Sequence, residues 1–189
     1  MKTKIFVSAL MIMLSGSAMF AQKAEVNTQK SSIEWLGKKI GGKHMGNVQV
    51  KSGYLEFKEG EIVAGNFVVD MTSITNSDLK DEDYNQKLVG HLKSDDFFGV
   101  QTYPTAEFVV TKSSKFSNGT TTLTGDLTIK ENTESISFEV VRAGSEYAAR
   151  LDIDRSKFDV RYGSNKFFDN LGDKAIDDIF KLDIKLVVL

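Results

Sequence analysis

No cysteine occurs anywhere in this chain. A disulfide framework, a thiolate metal site and a cysteine nucleophile are all excluded, so stability must come from a packed core. Histidine is almost as scarce, with only His44 and His91 among 189 residues. A metal centre would need both, together with carboxylates such as Asp95 or Asp96, and the spacing matches no metal-binding motif. Pro104 is the single proline. There is no GxSxG nucleophile elbow and no phosphate-cradling glycine loop. Asp81-Glu82-Asp83 with Asn85 resembles a calcium loop only superficially: its sixth position is Gln86 instead of glycine and its twelfth is Leu92 instead of glutamate. No apolar run reaches spanning length: the run Ile5–Leu14, free of charge, has ten residues.

That short run has a different meaning. Lys2 and Lys4 precede it, and the small residues Ser15, Gly16, Ser17, Ala18 and Ala21 follow, which is the pattern of a secretory signal peptide over residues 1–21. Cleavage after Ala18 would place Gly16 and Ala18 at the −3 and −1 positions; cleavage after Ala21 would leave Gln22 as the new N-terminus. No cysteine follows for lipid attachment. The expected product, residues 22–189, is one periplasmic or secreted domain, long enough for a sizeable core. Loss of Lys2 and Lys4 leaves 22 basic against 26 acidic residues, a net charge of about −4. That balance argues against nucleic-acid partners and against adsorption to anionic lipid surfaces. No integral membrane segment is expected in the mature chain. Monomer and homodimer both remain open.

The remaining pattern is mostly of period two. Ile33, Trp35 and Gly37 share a face. Gly41–Asn47 reads as a glycine-rich turn. Val48 and Val50 share one parity while Leu55 and Phe57 take the other, which predicts a bulge near Gly53. A hairpin turn at Lys58–Glu61 leads to Val63, Gly65, Phe67, Val69 and Met71 on one face. Residues Asn76–Gln101 break the alternation. Leu88 and Leu92 are four apart and Phe97 follows, so a short helix is expected near Tyr84–Leu92, with Ser94 capping a second turn over Asp95–Phe98. Ala106, Phe108 and Val110 resume the alternation. Asn118-Gly119 is a turn signal, and Leu123, Gly125, Leu127 and Ile129 follow it. Ile136, Phe138 and Val140 come next, then Tyr147, Ala149, Leu151 and Ile153. Lys157–Ile179 reads as a loop or lid, and Phe180, Leu182, Ile184, Leu186 and Val188 form a last strand. The expected fold is all-β: about eight antiparallel strands in a barrel or sandwich. Closed on itself, such a sheet either fills its interior with side chains or holds one small ligand. Thirteen phenylalanines, several at inward parity, could line such a space, although a filled core accounts for any one of them.

Gly42–Phe57 (GKHMGNVQVKSGYLEF), Asn66–Thr75 (NFVVDMTSIT), His91–Thr111 (HLKSDDFFGVQTYPTAEFVVT) and Thr124–Lys130 (TGDLTIK) together resemble the YceI-like family of secreted bacterial proteins. The acidic-aromatic run followed by Tyr-Pro-Thr-Ala-x-Phe is the most specific part. The resemblance implies a lipocalin-like, eight-stranded antiparallel β-barrel with a helical insert. It also implies a carrier or scavenger that holds a long isoprenoid or other amphiphilic chain inside the barrel, with no cofactor and no catalysis. Its motifs point to Phe67, Val69, Met71, Leu88, Leu92, Phe97, Phe98 and Phe108 as apolar lining, with Leu127, Ile129 and Phe138 beside them, and to His44, His91 and Lys93 for a polar head group. The chain departs from the family at Glu131–Ser135, where many members have a Thr-Lys-Pro turn, and in the charged, aromatic segment Lys157–Asp169 near the expected barrel mouth. Two rivals stand beside this reading: a barrel enzyme using His44 and His91 as acid-base groups, and an interaction module with a filled core.

Overall fold

In the computed structural model, residues 21–189 are described; the export signal expected over residues 1–21 lies, but for its last residue, outside them. Nine strands follow one another: β1 (Gln22–Glu25), β2 (Ser32–Lys39), β3 (Gly42–Lys58), β4 (Glu61–Asp70), β5 (Thr105–Ser113), β6 (Thr120–Ile129), β7 (Asn132–Ala143), β8 (Glu146–Asp154) and β9 (Ile179–Val187). One helix, α1 (Glu82–Lys93), lies between β4 and β5. Every pairing is antiparallel. The neighbours run from β3 through β2, β9, β8, β7, β6, β5 and β4, and β4 pairs again with β3. The sheet is therefore an eight-stranded closed barrel with one extra strand.

The extra strand is β1, which carries no alternating signal in the sequence. It pairs with Tyr54–Phe57 of β3, while β2 pairs with Gly42–Val48 of the same long strand. β1 and β2 thus lie end to end along one edge of β3, separated by the turn at Asn27–Ser31, where Lys30 N donates to Asn27 Oδ1. The glycine-rich segment expected to be a turn is mostly strand. Only Ile40 and Gly41 turn the chain, with Gly41 at φ +78°, and β3 begins at Gly42.

Alternation puts the apolar side chains of each strand inside, and bulges correct it where the sequence changes phase. The extra residue predicted near Gly53 is Lys51, between the pairs Val50↔Val69 and Ser52↔Val68. A second bulge, not anticipated, sits at Val63, between Glu56↔Ala64 and Phe57↔Ile62. It turns Val63 outward, where it is exposed, and buries Ile62 instead. The expected grouping of Val63 with Gly65 and Phe67 is corrected on that account. A third lies at Thr111.

Two glycines hold inward notches for aromatic rings. A Cβ on Gly125 would stand 2.4 Å from Phe108 Cζ and 2.4 Å from Val109 O, and one on Gly53 would stand 2.8 Å from Phe67 Cδ1. The Phe108 ring lies over β6 at Gly125 and reaches Phe138 on β7, with centroids 5.3 Å apart. The rings lie along the wall in these notches instead of projecting across the axis. Gly125→Ala is expected to cost about 2 kcal/mol or more through overpacking. Gly90→Ala, in α1 with nothing within 4 Å of the new methyl, is expected to gain about 0.5–1 kcal/mol from helix propensity. Urea unfolding of both variants against the parent checks the pair.

Candidate functional site

The barrel interior is an elongated cavity of about 210 Å³. On the same measure one water requires roughly 10–15 Å³. Each of the eight staves contributes to its wall: Ile33 and Trp35 from β2, Val48, Val50 and Leu55 from β3, Phe67 and Val69 from β4, Ala106 and Phe108 from β5, Leu123, Leu127 and Ile129 from β6, Ile136, Phe138 and Val140 from β7, Tyr147, Ala149 and Leu151 from β8, and four alternate residues from Phe180 to Leu186 on β9. Those six steps on β9 span roughly 20 Å along the strand, or about 15 Å along the axis of a barrel whose strands tilt by about 40°.

The insert between β4 and β5 covers one end. Met71, Ile74, Leu92, Phe97 and Phe98 face the cavity from it. Phe97 and Phe98 meet edge to face at 5.1 Å, and Phe98 meets Phe180 of β9 at 6.4 Å. Asp81 caps α1 by accepting a hydrogen bond from Tyr84 N, Glu82 and Asp83 occupy its first turn, and His91 and Lys93 its last, as the helix dipole favours. No residue of α1 is fully buried, so the insert is held mainly by its flanks. Eight hydrogen bonds join Thr75–Asp78 to the barrel: Trp35 Nε1 to Thr75 O, Thr75 N and Oγ1 to Asn47 O, Ser77 N and Oγ to Met45 O, Asn76 Nδ2 to Met45 O, Met45 N to Asp78 Oδ1, and His44 Nδ1 with Asp78 Oδ2. Ser94 does not cap a second turn as expected. Its hydroxyl donates back to His91 O and it closes α1 from the C-terminal side, because the chain reverses immediately, with Gly99 N and Phe97 N both donating to Ser94 O. At the opposite end the Arg142 guanidinium stands 5.6–5.9 Å from the ring centroids of Phe57, Phe116 and Tyr147.

Ten of the eleven apolar residues proposed as lining are on the cavity wall: Phe67, Val69, Met71, Leu92, Phe97, Phe98, Phe108, Leu127, Ile129 and Phe138. Leu88 is not; it sits one turn before Leu92, and only the end of α1 nearer the barrel reaches the interior. None of the three head-group candidates lines the cavity. His44 has the inward parity of Val48 and Val50 and registers opposite Gly37, but it lies beyond the cavity near the start of β3, where it pairs with Asp78 of the insert at 2.9 Å. His91 packs between the rings of Tyr162, at 4.4 Å, and Phe97, at 5.8 Å. Lys93 borders a separate surface hollow with Thr72 and Asp95.

The most deeply buried charge escaped sequence reasoning. Arg155 is 2 % exposed and borders the cavity. Its position was legible in principle, because it continues the inward parity of Tyr147, Ala149, Leu151 and Ile153. Its Nε donates to Asp177 O, Nη1 to Val160 O and Tyr162 O, and Nη2 to Ile176 O, at 2.8–3.1 Å. Asp178 Oδ1 lies 3.2 Å from Nη2 but has no hydrogen-bond partner, so charge alone links the two. Burial pulls the guanidinium's pKa down, and Asp178, Asp154 and Asp177 oppose that. One side chain thus gathers both ends of the segment between β8 and β9. That segment was expected to be a loop or lid, and it contains short 3-10 turns at Arg155–Phe158 and Gly172–Lys174.

Arg155→Met removes the donors of four carbonyl groups and the partner of Asp178, and is expected to cost about 3–5 kcal/mol in urea unfolding. Two carboxyl groups near this end predict a pH dependence. Partial burial raises the pKa of Asp154, but hydrogen bonds from Lys166 and Ser156 outweigh it; Asp78 is likewise raised by burial and lowered more by Met45 N, His44 and Asn76. Both titrate below the ordinary 3.8. Their stabilising contribution is complete above that value and is lost as pH falls through the lowered folded-state values. The urea midpoint should therefore drop on acidification below about pH 4, and the drop should be smaller in Asp78→Asn/Asp154→Asn, measured between pH 7 and pH 2.5.

Solved structures with the same fold are known. BcnA of Burkholderia cenocepacia matches with a TM-score of 0.64 and 25% identity, over 87% of this chain and 99% of that one. A polyisoprenoid binding domain from Saccharophagus degradans, implicated in plant cell wall breakdown, matches with a TM-score of 0.59 and 12% identity, over 89% and 98% of the two chains. The Campylobacter jejuni YceI protein matches with a TM-score of 0.52 and 18% identity, over 100% and 93%. Comparison with curated proteins finds no match. The model of the YceI-like domain matches residues 25–188, nearly everything the structure describes, and the chain belongs to that family.

Proposed function

We propose that this protein is an exported carrier that holds the hydrocarbon chain of an isoprenoid or another amphiphilic lipid inside its barrel, for transport, storage or scavenging, and performs no chemistry on it. The observation that carries the proposal is the cavity itself: elongated, walled by apolar side chains from every stave, and capped by the aromatic pair Phe97–Phe98. A chain without hydrogen-bonding groups needs only such a space. Each methylene removed from water contributes about 0.8 kcal/mol, so ten would supply roughly 8 kcal/mol before the cost of ordering the chain. The polyisoprenoid-binding description of the Saccharophagus degradans domain supports the ligand class. The N-terminal run of the sequence supports a periplasmic or secreted location.

The two rivals have less support. His44 and His91 have different neighbours, and neither borders the cavity where a substrate chain would lie, which leaves an acid-base role without a site. A filled-core module is disfavoured by a cavity of 210 Å³. The ten wall residues named above are the proposed contacts to the chain. The head group is expected to remain outside the apolar wall, at the end where His91 and Tyr162 meet.

Native mass spectrometry of protein purified without detergent, followed by organic extraction, should reveal a retained lipid. Protein stripped of it should take up farnesol. Ala149→Phe, which fills part of the interior, should weaken farnesol binding at least tenfold. Absence of any retained lipid, together with no uptake of farnesol or of a C18 fatty acid, would refute the proposal.

A further inference from the structure

The barrel wall is not bonded along its full height. β7 and β8 pair only at Val140↔Ala149, Val141↔Ala148, Arg142↔Tyr147 and Ala143↔Glu146. Yet β7 stays paired with β6 as far as Asn132, and β8 stays paired with β9 as far as Asp154. A seam is left between Asn132–Glu139 on one side and Arg150–Asp154 on the other. Behind it, Ile136 and Phe138 point inward onto the cavity, and neither is fully buried. The 3-10 turn Arg155–Phe158 packs against β7, and two polar contacts cross near the Asn132 end: Lys157 Nζ lies 3.6 Å from Glu134 Oε2, and Lys130 Nζ donates to Asp159 O at 3.0 Å. Both side chains of the ion pair are well exposed, Lys157 at 57% and Glu134 at 38%, so the pair is weak and screened by salt.

A long chain must reach the interior somewhere, and the energetic comparison favours the seam. Leaving through the capped end means breaking the eight hydrogen bonds that fasten Thr75–Asp78 and withdrawing the buried Phe97. Leaving through a paired wall means breaking ladder bonds. Parting the seam breaks no ladder bond, because the backbone groups facing it are already unpaired within the sheet and must be satisfied by water.

We propose that the seam between β7 and β8 is the portal by which the apolar chain enters and leaves, with Glu134–Lys157 as its latch. This rests on the carrier reading above. The chain has no cysteine of its own and a single tryptophan, Trp35, which borders the cavity. A cross-link can therefore be placed cleanly, and uptake of cis-parinaric acid can be followed by energy transfer from Trp35. Glu139→Cys/Arg150→Cys, one step beyond the last bonded pair, closes the seam on oxidation or with a short bismaleimide. His44→Cys/Asp78→Cys closes the insert in the same way. Stopped-flow association and dissociation should slow at least tenfold in the closed-seam variant, with Kd within about twofold of its reduced form. Closing the insert should leave both rates unchanged. Glu134→Lys, which sets two cations against each other, should speed both rates severalfold, and adding Lys157→Glu should restore them; this pair serves if the cross-linked variant does not fold. Unchanged rates in the closed-seam variant, or slowing only when the insert is closed, would overturn the portal while leaving the carrier reading intact. Absence of any binding of the probe to the parent protein would overturn both.

Discussion

The second pairing of β4, back onto β3, is the constraint on which everything else depends. Without it the eight staves would form an open sheet with one apolar face uncovered. β3 is long enough, at 17 residues, to take β4 along one edge and β1 and β2 in succession along the other. The closed sheet turns every inward side chain toward a common axis. Whether that axis is filled or open is then a question of side-chain volume and direction. Here the answer lies in glycines at inward positions. Phe67 and Phe108 lie back into the space over Gly53 and Gly125, and the largest residues in the interior cover the wall instead of crossing it.

The two ends of the barrel are treated differently. At one end, Arg142 stands among three aromatic rings and the hairpins are short. At the other, two long connections fold over the opening, and each is fastened by polar contacts as well as by buried apolar side chains, Ile74, Phe97 and Val100 in the first and Phe158 and Val160 in the second. Asn76 and Asp78 hold the insert, and Arg155 holds the segment between β8 and β9. A buried arginine is a weak device for raising stability, because removing its charge from water costs much of what its hydrogen bonds return. It is well suited to fixing a geometry, since its planar fork reaches four carbonyl oxygens of a segment that has little regular structure of its own.

Most of the barrel was legible in the sequence because alternation is a strong signal wherever one face is buried and the other is wet. Eight staves, the helix in the insert and the turns at Glu59–Gly60 and Asn118–Gly119 all follow from it. The failures have separate causes. β1 has only four residues and is set by its pairing with β3, which no local pattern encodes. The bulge at Val63 replaces one apolar residue by another, Ile62, so composition gives no warning of it. Among the site residues, parity found most of the wall but misplaced Leu88, because helical spacing tells which residues share a face and not how far along that face the barrel extends. The histidines attracted attention by their rarity, and both are engaged elsewhere. Arg155 shared the parity of its apolar neighbours and was overlooked because a charge at an inward position reads as an end of the strand.

The contact between β2 and β9, which the closed ring needs as much as that between β4 and β3, also has a temporal side. Ile33 faces Ile184, some 150 residues later in the chain. The barrel cannot shut until β9 has been made, and a pairing over such a separation forms slowly. Until then an incomplete sheet presents both its apolar face and its two bare edges to any neighbouring molecule, the condition under which β-proteins aggregate. A chain of this topology therefore depends on being kept apart from its own copies while it matures, and its yield should be governed less by final stability than by the time spent with the last strand missing.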